Sequence, residues 1–384
     1  MINRWTILVA LFLARTAMAF QYQAIAALSP ILADVRGLEL AQIGLLIGLY
    51  LAPGLLVAVP GSAMAQRFGE KRIVLAALGL MLFGSLLNFV SQSYEVMIMG
   101  RILAGIGGVV VNIVMTKLLV DWFQGREIAT ALAIFVNSWP FGIALAAYIL
   151  PQAAIVGGLQ MAEWAVVIVI LIGLAAFGAV YQSPPGLEPT PTKLTIAKLP
   201  YWPLCLAGLV WALYNTALAM VFGFGALLFT ERGYSVAEAG TAVSAFMLVF
   251  SLALPIGGIL ADKTGRRDLI ISVSLLSFAI LMPLATELEA SALFVVLLLI
   301  AALFSIAAGP VMTLPSVVLP PPIRTFGMGV FFMVYYLVMT IAPRLAGSMA
   351  DASGQVETVF WLAAVLSLAA QGCLMLFRTA TRVA

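Results

Sequence analysis

A chain of 384 residues that is 64% hydrophobic and 9% charged, with a mean hydropathy of +1.14, falls outside the range of water-soluble domains and reads as a membrane protein. It has no histidine and only two cysteines, Cys205 and Cys373, so there is no Ser-His or Cys-His dyad, no metal site and no disulfide framework to build on. The formal net charge of +3 is too small and too scattered to mark a nucleic-acid binder, and no phosphate-binding G-x-x-x-x-G-K-[ST] loop is present to hold ATP.

Apolar runs follow one another at the length needed to cross hydrocarbon, roughly 20 residues for about 30 Å. They predict twelve transmembrane helices, at 5–28, 40–61, 72–91, 96–120, 127–150 and 163–182, then at 203–229, 236–260, 268–286, 291–316, 325–349 and 357–377. Runs this long and continuous exclude the short alternating strands of a membrane β-barrel. The first is too long for a signal peptide and carries Arg15 inside it, so it is kept as helix one.

Arg15 lies near the middle of that first helix, where a cation costs from about 2.5 to more than 10 kcal/mol. Arginine does not escape by losing its proton, so it needs water, carbonyl oxygens or an anion. Two readings follow: Arg15 binds an anionic substrate, with Tyr22 one heptad further on nearly the same face, or it braces helix carbonyls. Helix four carries Arg101, either structural or part of conformational coupling, and Lys117 near its end, an interfacial anchor. Helix five adds Asn137 and Trp139, helix seven Trp211, Tyr214 and Asn215, and helix eleven Tyr336 and Arg344. The deep aromatics shape a cavity, while each asparagine is either a ligand contact or interhelical glue. All sixteen acids fall in loops or at helix ends, so four intramembrane cations, Arg15, Arg101, Lys117 and Arg344, face no acid at depth.

The basic residues set the topology, because cytoplasmic loops collect Lys and Arg. With the N-terminus inside, the cytoplasmic side holds thirteen of them, including Arg67, Lys71, Arg72, Arg126, Lys263, Arg266, Arg267 and Arg324, and the outside only Arg36 and Arg232. Both termini are then cytoplasmic. A proline-rich polar break, SPPGLEPTPTKLTIAKLP at 183–200, separates a six-helix bundle at 1–182 from a second at 201–384. The halves echo one another: SAMAQRFGEKR (Ser62 to Arg72) matches GILADKTGRRD (Gly258 to Asp268) at an offset of 196, and Arg126 matches Arg324 at 198.

At these residues the chain resembles the major facilitator superfamily, whose signature loop reads roughly G-x-x-x-D-[RK]-x-G-[RK]-[RK]. The second copy, with Gly258, Asp262, Lys263, Gly265, Arg266 and Arg267, fits fully; the first keeps Arg67, Gly69, Lys71 and Arg72 but has Ser62 and Gln66 in place of the glycine and aspartate. The resemblance implies two pseudo-symmetric six-helix halves, a gate-locking role for these loops, and a part for Arg101 in RILAGIGG. Helix one and WFQGREIATALAIFVNSWP look like the cyanate and nitroimidazole permeases, and the paired cations like the oxalate:formate and nitrate/nitrite carriers.

The expected function is a secondary transporter of a small organic or inorganic anion in the inner membrane, working as a monomer, with no cofactor and no enzymatic activity. Arg15 and Arg344, one from each half, would clamp the anion, since a guanidinium fork suits carboxylate, cyanate or nitrate. The alternatives are an efflux carrier for amphipathic compounds, read from the aromatic and methionine content, and a transport-inactive sensor of the same fold.

Overall fold

The structure, a computed structural model, describes residues 3–90, 93–123, 128–183, 199–319 and 324–382, and every regular element in them is helical. In chain order these are α1 (Arg4–Ala27), α2 (Ser29–Arg36), α3 (Leu40–Leu49), α4 (Gly54–Phe68), α5 (Glu70–Val90), α6 (Tyr94–Phe123) and α7 (Ile128–Val180). There follow α8 (Tyr201–Glu231), α9 (Val236–Thr264), α10 (Arg267–Thr286), α11 (Ala290–Ser305), α12 (Ala308–Met312), α13 (Leu314–Val318), α14 (Arg324–Ser353) and α15 (Glu357–Arg382). Most of the proline-rich break, 184–198, together with Arg126, lies outside the described residues.

By length and composition ten stretches among the described residues are apolar enough to cross a membrane. One of them, Ile134–Val180, has 47 residues and doubles back at Gly157 and Gly158, the latter at φ +69°, so it carries two of the predicted helices. Helix α5, with 21 residues, is about 30 Å long and accounts for another.

Proline explains where the helices depart from the apolar runs. The run at 40–61 is split, because Pro53 has no N–H to continue α3 and disfavours helical geometry at Ala52. The run at 291–316 becomes three pieces around Pro310 and Pro315. By contrast Pro140, Pro255 and Pro343 stay inside continuous helices. Helix α2 was not expected: Pro30 fixes its first turn and Gly37, at φ +62°, ends it.

The chain divides into two compact units, Met1–Gly37 with Leu49–Pro191, and Leu38–Gly48 with Thr192–Ala384. Small residues let helices approach closely, the packing that holds helices together where lipid offers no hydrophobic drive. In the first unit α1 runs along both arms of α7, and a Cβ added to Gly142 would sit 2.6 Å from the Thr16 carbonyl. Helices α5 and α6 pair the same way at Gly84 and Gly107. In the second unit α8 is buried along most of its length against α14 and α15, while α9 meets the end of α11 at Gly257.

Helix α3, although it precedes α4 in sequence, is counted with the second unit and lies on α14. Gly44 and Gly48 face the carbonyls of Pro343 and Thr340, and Gly347 faces that of Leu40. One turn beyond Gly347, the Asp351 carboxylate accepts from the N–H groups of Leu40 at 3.0 Å and Ala41 at 2.8 Å, capping α3. Asp351→Ala is expected to cost about 1 kcal/mol. A thermal unfolding midpoint in detergent unchanged from wild type would show that this cap contributes nothing.

Candidate functional site

Two of the intramembrane arginines are held inside the first unit. Arg15 on α1 donates from Nε to Asn112 Oδ1 at 3.1 Å, and from Nη1 to the carbonyls of Phe135 at 2.8 Å and Val136 at 3.0 Å and to Ser138 Oγ at 3.2 Å. Its guanidinium also lies 4.7 Å from the centre of the Phe135 ring. The sequence explains why α7 offers these acceptors. Pro140 has no N–H, so the Val136 carbonyl four residues earlier lacks its helical donor, and Arg15 supplies one.

Arg101 on α6 is 2% exposed and reaches the opposite way, into the backbone of α1. It donates to the Gln21 carbonyl at 2.9 Å and the Tyr22 carbonyl at 3.0 Å and stands over the Tyr50 ring at 4.7 Å. Tyr50 donates to Gln21 Oε1 at 3.1 Å, and Gln21 in turn donates to Ser85 Oγ at 2.7 Å and the Met81 carbonyl at 2.8 Å. Tyr22 packs edge-on against Tyr50 at 5.6 Å and tilted against Trp139 at 5.1 Å. Charge and aromatic surface therefore meet within one network that ties α1 to α5 and α6.

Beside this network lies a cavity of about 40 Å3 lined by Gln21, Ser85, Asn88 and Arg101 and reached by the Arg36–Glu163 ion pair at 3.0 Å. That is room for very few water molecules and for no larger solute. Lys117 pairs with Asp121 at 2.8 Å and with Glu70, as an anchor at a helix end does.

The second unit brings aromatic residues together. Trp211 is stacked on Tyr214 with ring centres 5.9 Å apart and contacts Tyr335 at 6.4 Å, and Tyr335 meets Tyr336 at 5.2 Å. Tyr214 and Ser274 both donate to the Phe304 carbonyl, at 2.9 and 2.8 Å. Asn215 donates to the Trp211 carbonyl on its own helix, and Trp211 and Asn137 are half-buried. Arg344 stands apart from this cluster: it is exposed on the side of α14 that also presents Leu337, Ile341 and Leu345, and it makes no hydrogen bond to a described residue.

Of the loop residues, Gly69 and Gly265 end α4 and α9 with φ of +93° and +66°, a conformation costly for any side chain, and their N–H groups bond the carbonyls of Ala65 and Ala261. Arg67, Arg72 and Arg266 are exposed. The side chain of Asp262 lies outside the described residues. Gly258 has no atom within 4 Å of where a Cβ would go; its neighbour Gly257 is the tightly packed one.

Sequence reasoning passed over Tyr50, Ser85, Glu163 and Asp351. A tyrosine inside the apolar GLYLAPG and the one-turn spacing of Gly347 and Asp351 were the available signals.

The sequence profile of the Major Facilitator Superfamily matches residues 11–230 and again 204–383. Over 141 residues the chain is 26% identical to the inner membrane transport protein YajR of Escherichia coli (strain K12), a match that spans 37% of this chain and 31% of that protein's length. In fold it is similar to a bacterial homologue of the human lysosomal transporter Spinster in an inward-facing, occupied conformation, with a TM-score of 0.79 at 17% identity over 98% of this chain and 97% of that one. It is also similar to the nucleoside transporter NupG, with a TM-score of 0.77 at 13% identity over 97% of this chain and 99% of that one.

Proposed function

The chain belongs to the Major Facilitator Superfamily, and from that premise we propose that it is a secondary transporter that moves a small amphipathic organic solute across the inner membrane by alternating access. It is a multi-pass membrane protein. The bias of Lys and Arg among its loops supports cytoplasmic termini, and the relation to an inner membrane transport protein supports its placement there.

The observation that carries this reading is the environment of Arg15. Its donors engage Asn112, Ser138 and the carbonyls of α7, so the cost of its burial is met within the protein and no substrate anion has to meet it. What then remains for a solute is aromatic surface in each unit, the half-buried indole of Trp139 against Tyr22 in the first and that of Trp211 against Tyr214 in the second. Flat apolar faces with polar edges suit a solute that has both.

A second reading, a carrier of small anions, is favoured by Arg344, whose exposed guanidinium no described residue engages. Thermal unfolding of the purified protein against aromatic amphiphiles, nitrate, formate and oxalate separates the two, because a ligand that binds the native state raises its midpoint. We expect an aromatic amphiphile to raise it, with at least a tenfold loss of apparent affinity in Trp211→Ala and none in Arg344→Gln. Stabilisation by the small anions alone, abolished in Arg344→Gln, would replace the first reading with the second.

A further inference from the structure

At one end of the second unit, α9, α10, α13 and α15 enclose a groove of about 580 Å3. Among the described residues Arg266, Arg267 and Arg378 line it, with Asp268 as their one carboxylate, a net charge of +2 over those four. Arg378 is ion-paired with Asp268, yet its Nε is shielded from solvent and has no hydrogen-bond partner. Arg266 and Arg267 are exposed and make no hydrogen bond from their side chains to described residues. The groove thus gathers cationic donors, the side chains of Arg266 and Arg267 and the Nε of Arg378, that no described residue engages.

What surrounds it is apolar. Leu269 and Val317 line the same groove and are 54% and 51% exposed. From Leu269 a stripe of exposed apolar residues, Val273, Leu276, Ile280 and Leu284, runs the length of α10 at helical spacing. Because α10 is long and apolar enough to cross the bilayer, this stripe is a surface for acyl chains, and the arginines stand at the end of it, at the depth of lipid headgroups.

We propose that this groove is a binding site for an anionic phospholipid, its phosphodiester held by Arg266, Arg267 and Arg378 and one acyl chain lying along the exposed face of α10. A lone soluble phosphate would use the cations and leave the stripe unused, whereas a lipid satisfies both. Guanidinium groups suit a phosphodiester because their forked donors match its oxygens. A zwitterionic lipid brings a compensating ammonium group and gains less from the same site.

The test uses the full-length protein in detergent with added phosphatidylglycerol, phosphatidylcholine or glycerol phosphate, followed by native mass spectrometry for retained lipid and by thermal unfolding. Wild type is expected to retain phosphatidylglycerol in preference to phosphatidylcholine and to gain stability from it, but not from glycerol phosphate. Each arginine removed is expected to weaken retention about fivefold, so that an Arg266→Gln, Arg267→Gln double variant loses about 25-fold. If the double variant does not fold, Arg267→Gln alone, at an exposed position, carries the test with its fivefold loss. Equal retention of the two lipids, or wild-type retention by the variants, overturns the proposal. Equal stabilisation by glycerol phosphate would make this a site for soluble anions and overturn it as well.

Discussion

An Arg101→Ala variant is expected to lose about 3 kcal/mol of stability and to yield little monodisperse protein. Two hydrogen bonds from a charged donor to the backbone of α1 disappear, along with the cation over Tyr50, and the space of a long side chain is left empty. Release of a buried charge returns part of that loss. Arg101→Met separates the contributions, since it refills the volume without the bonds and should recover less than half of the deficit. Arg101→Lys should recover little, because a single ammonium does not span the Gln21 and Tyr22 carbonyls as a planar fork does. Chemical denaturation of the three variants in one detergent measures this directly. A stable, monodisperse Arg101→Ala protein would show that the network around Tyr50 holds without its centre.

Gly257→Ala is the second large effect, expected at about 3 kcal/mol from a single added carbon. The new Cβ would fall 2.0 Å from the Ile306 carbonyl oxygen and 2.5 Å from its carbon, all backbone atoms that no rotamer change moves aside. Helix α9 would have to pull away from the end of α11. The adjacent Gly258→Ala is the internal control, because nothing lies within 4 Å of its Cβ position. In a helix interior that change is expected to be neutral or to stabilise by up to about 1 kcal/mol. Similar unfolding midpoints for the two variants would mean that α9 and α11 yield where the geometry says they cannot.

The same pair of glycines shows what was legible in the sequence. The loop resemblance put weight on Gly258, a position in a motif, whereas close packing singles out Gly257, which has no motif of its own. Helix α1 was readable almost to the residue, since a long apolar run between Arg4 and Leu28 says helix by length alone. The break between α3 and α4 was not read, because the run from Leu40 to Gly61 stays apolar throughout and hydropathy carries no information about a missing backbone donor. Residue types were legible too: Tyr22, Arg101 and Trp139 share one network in the first unit, and Arg15 is held apart from it by Asn112, Ser138 and the carbonyls of α7. Their partners were not, since the acceptors at Gln21, Tyr22, Phe135 and Val136 are peptide oxygens, which every residue has. A search for acids opposite the cations overlooks them by construction.

Pro140, the first of two prolines in α7, has a consequence of its own. With Pro140 in place, the Val136 oxygen has a lone pair to offer, and Arg15 is affordable in the membrane partly because of it. Restoring an N–H at position 140 would let the helix reclaim that oxygen and leave the guanidinium short of an acceptor. Removing Arg15 alone would leave the same oxygen without that donor. The double change should therefore cost less than the two single changes added together. Among descendants of such a chain the two positions would be inherited as one character, arriving together and vanishing together, although 125 residues separate them.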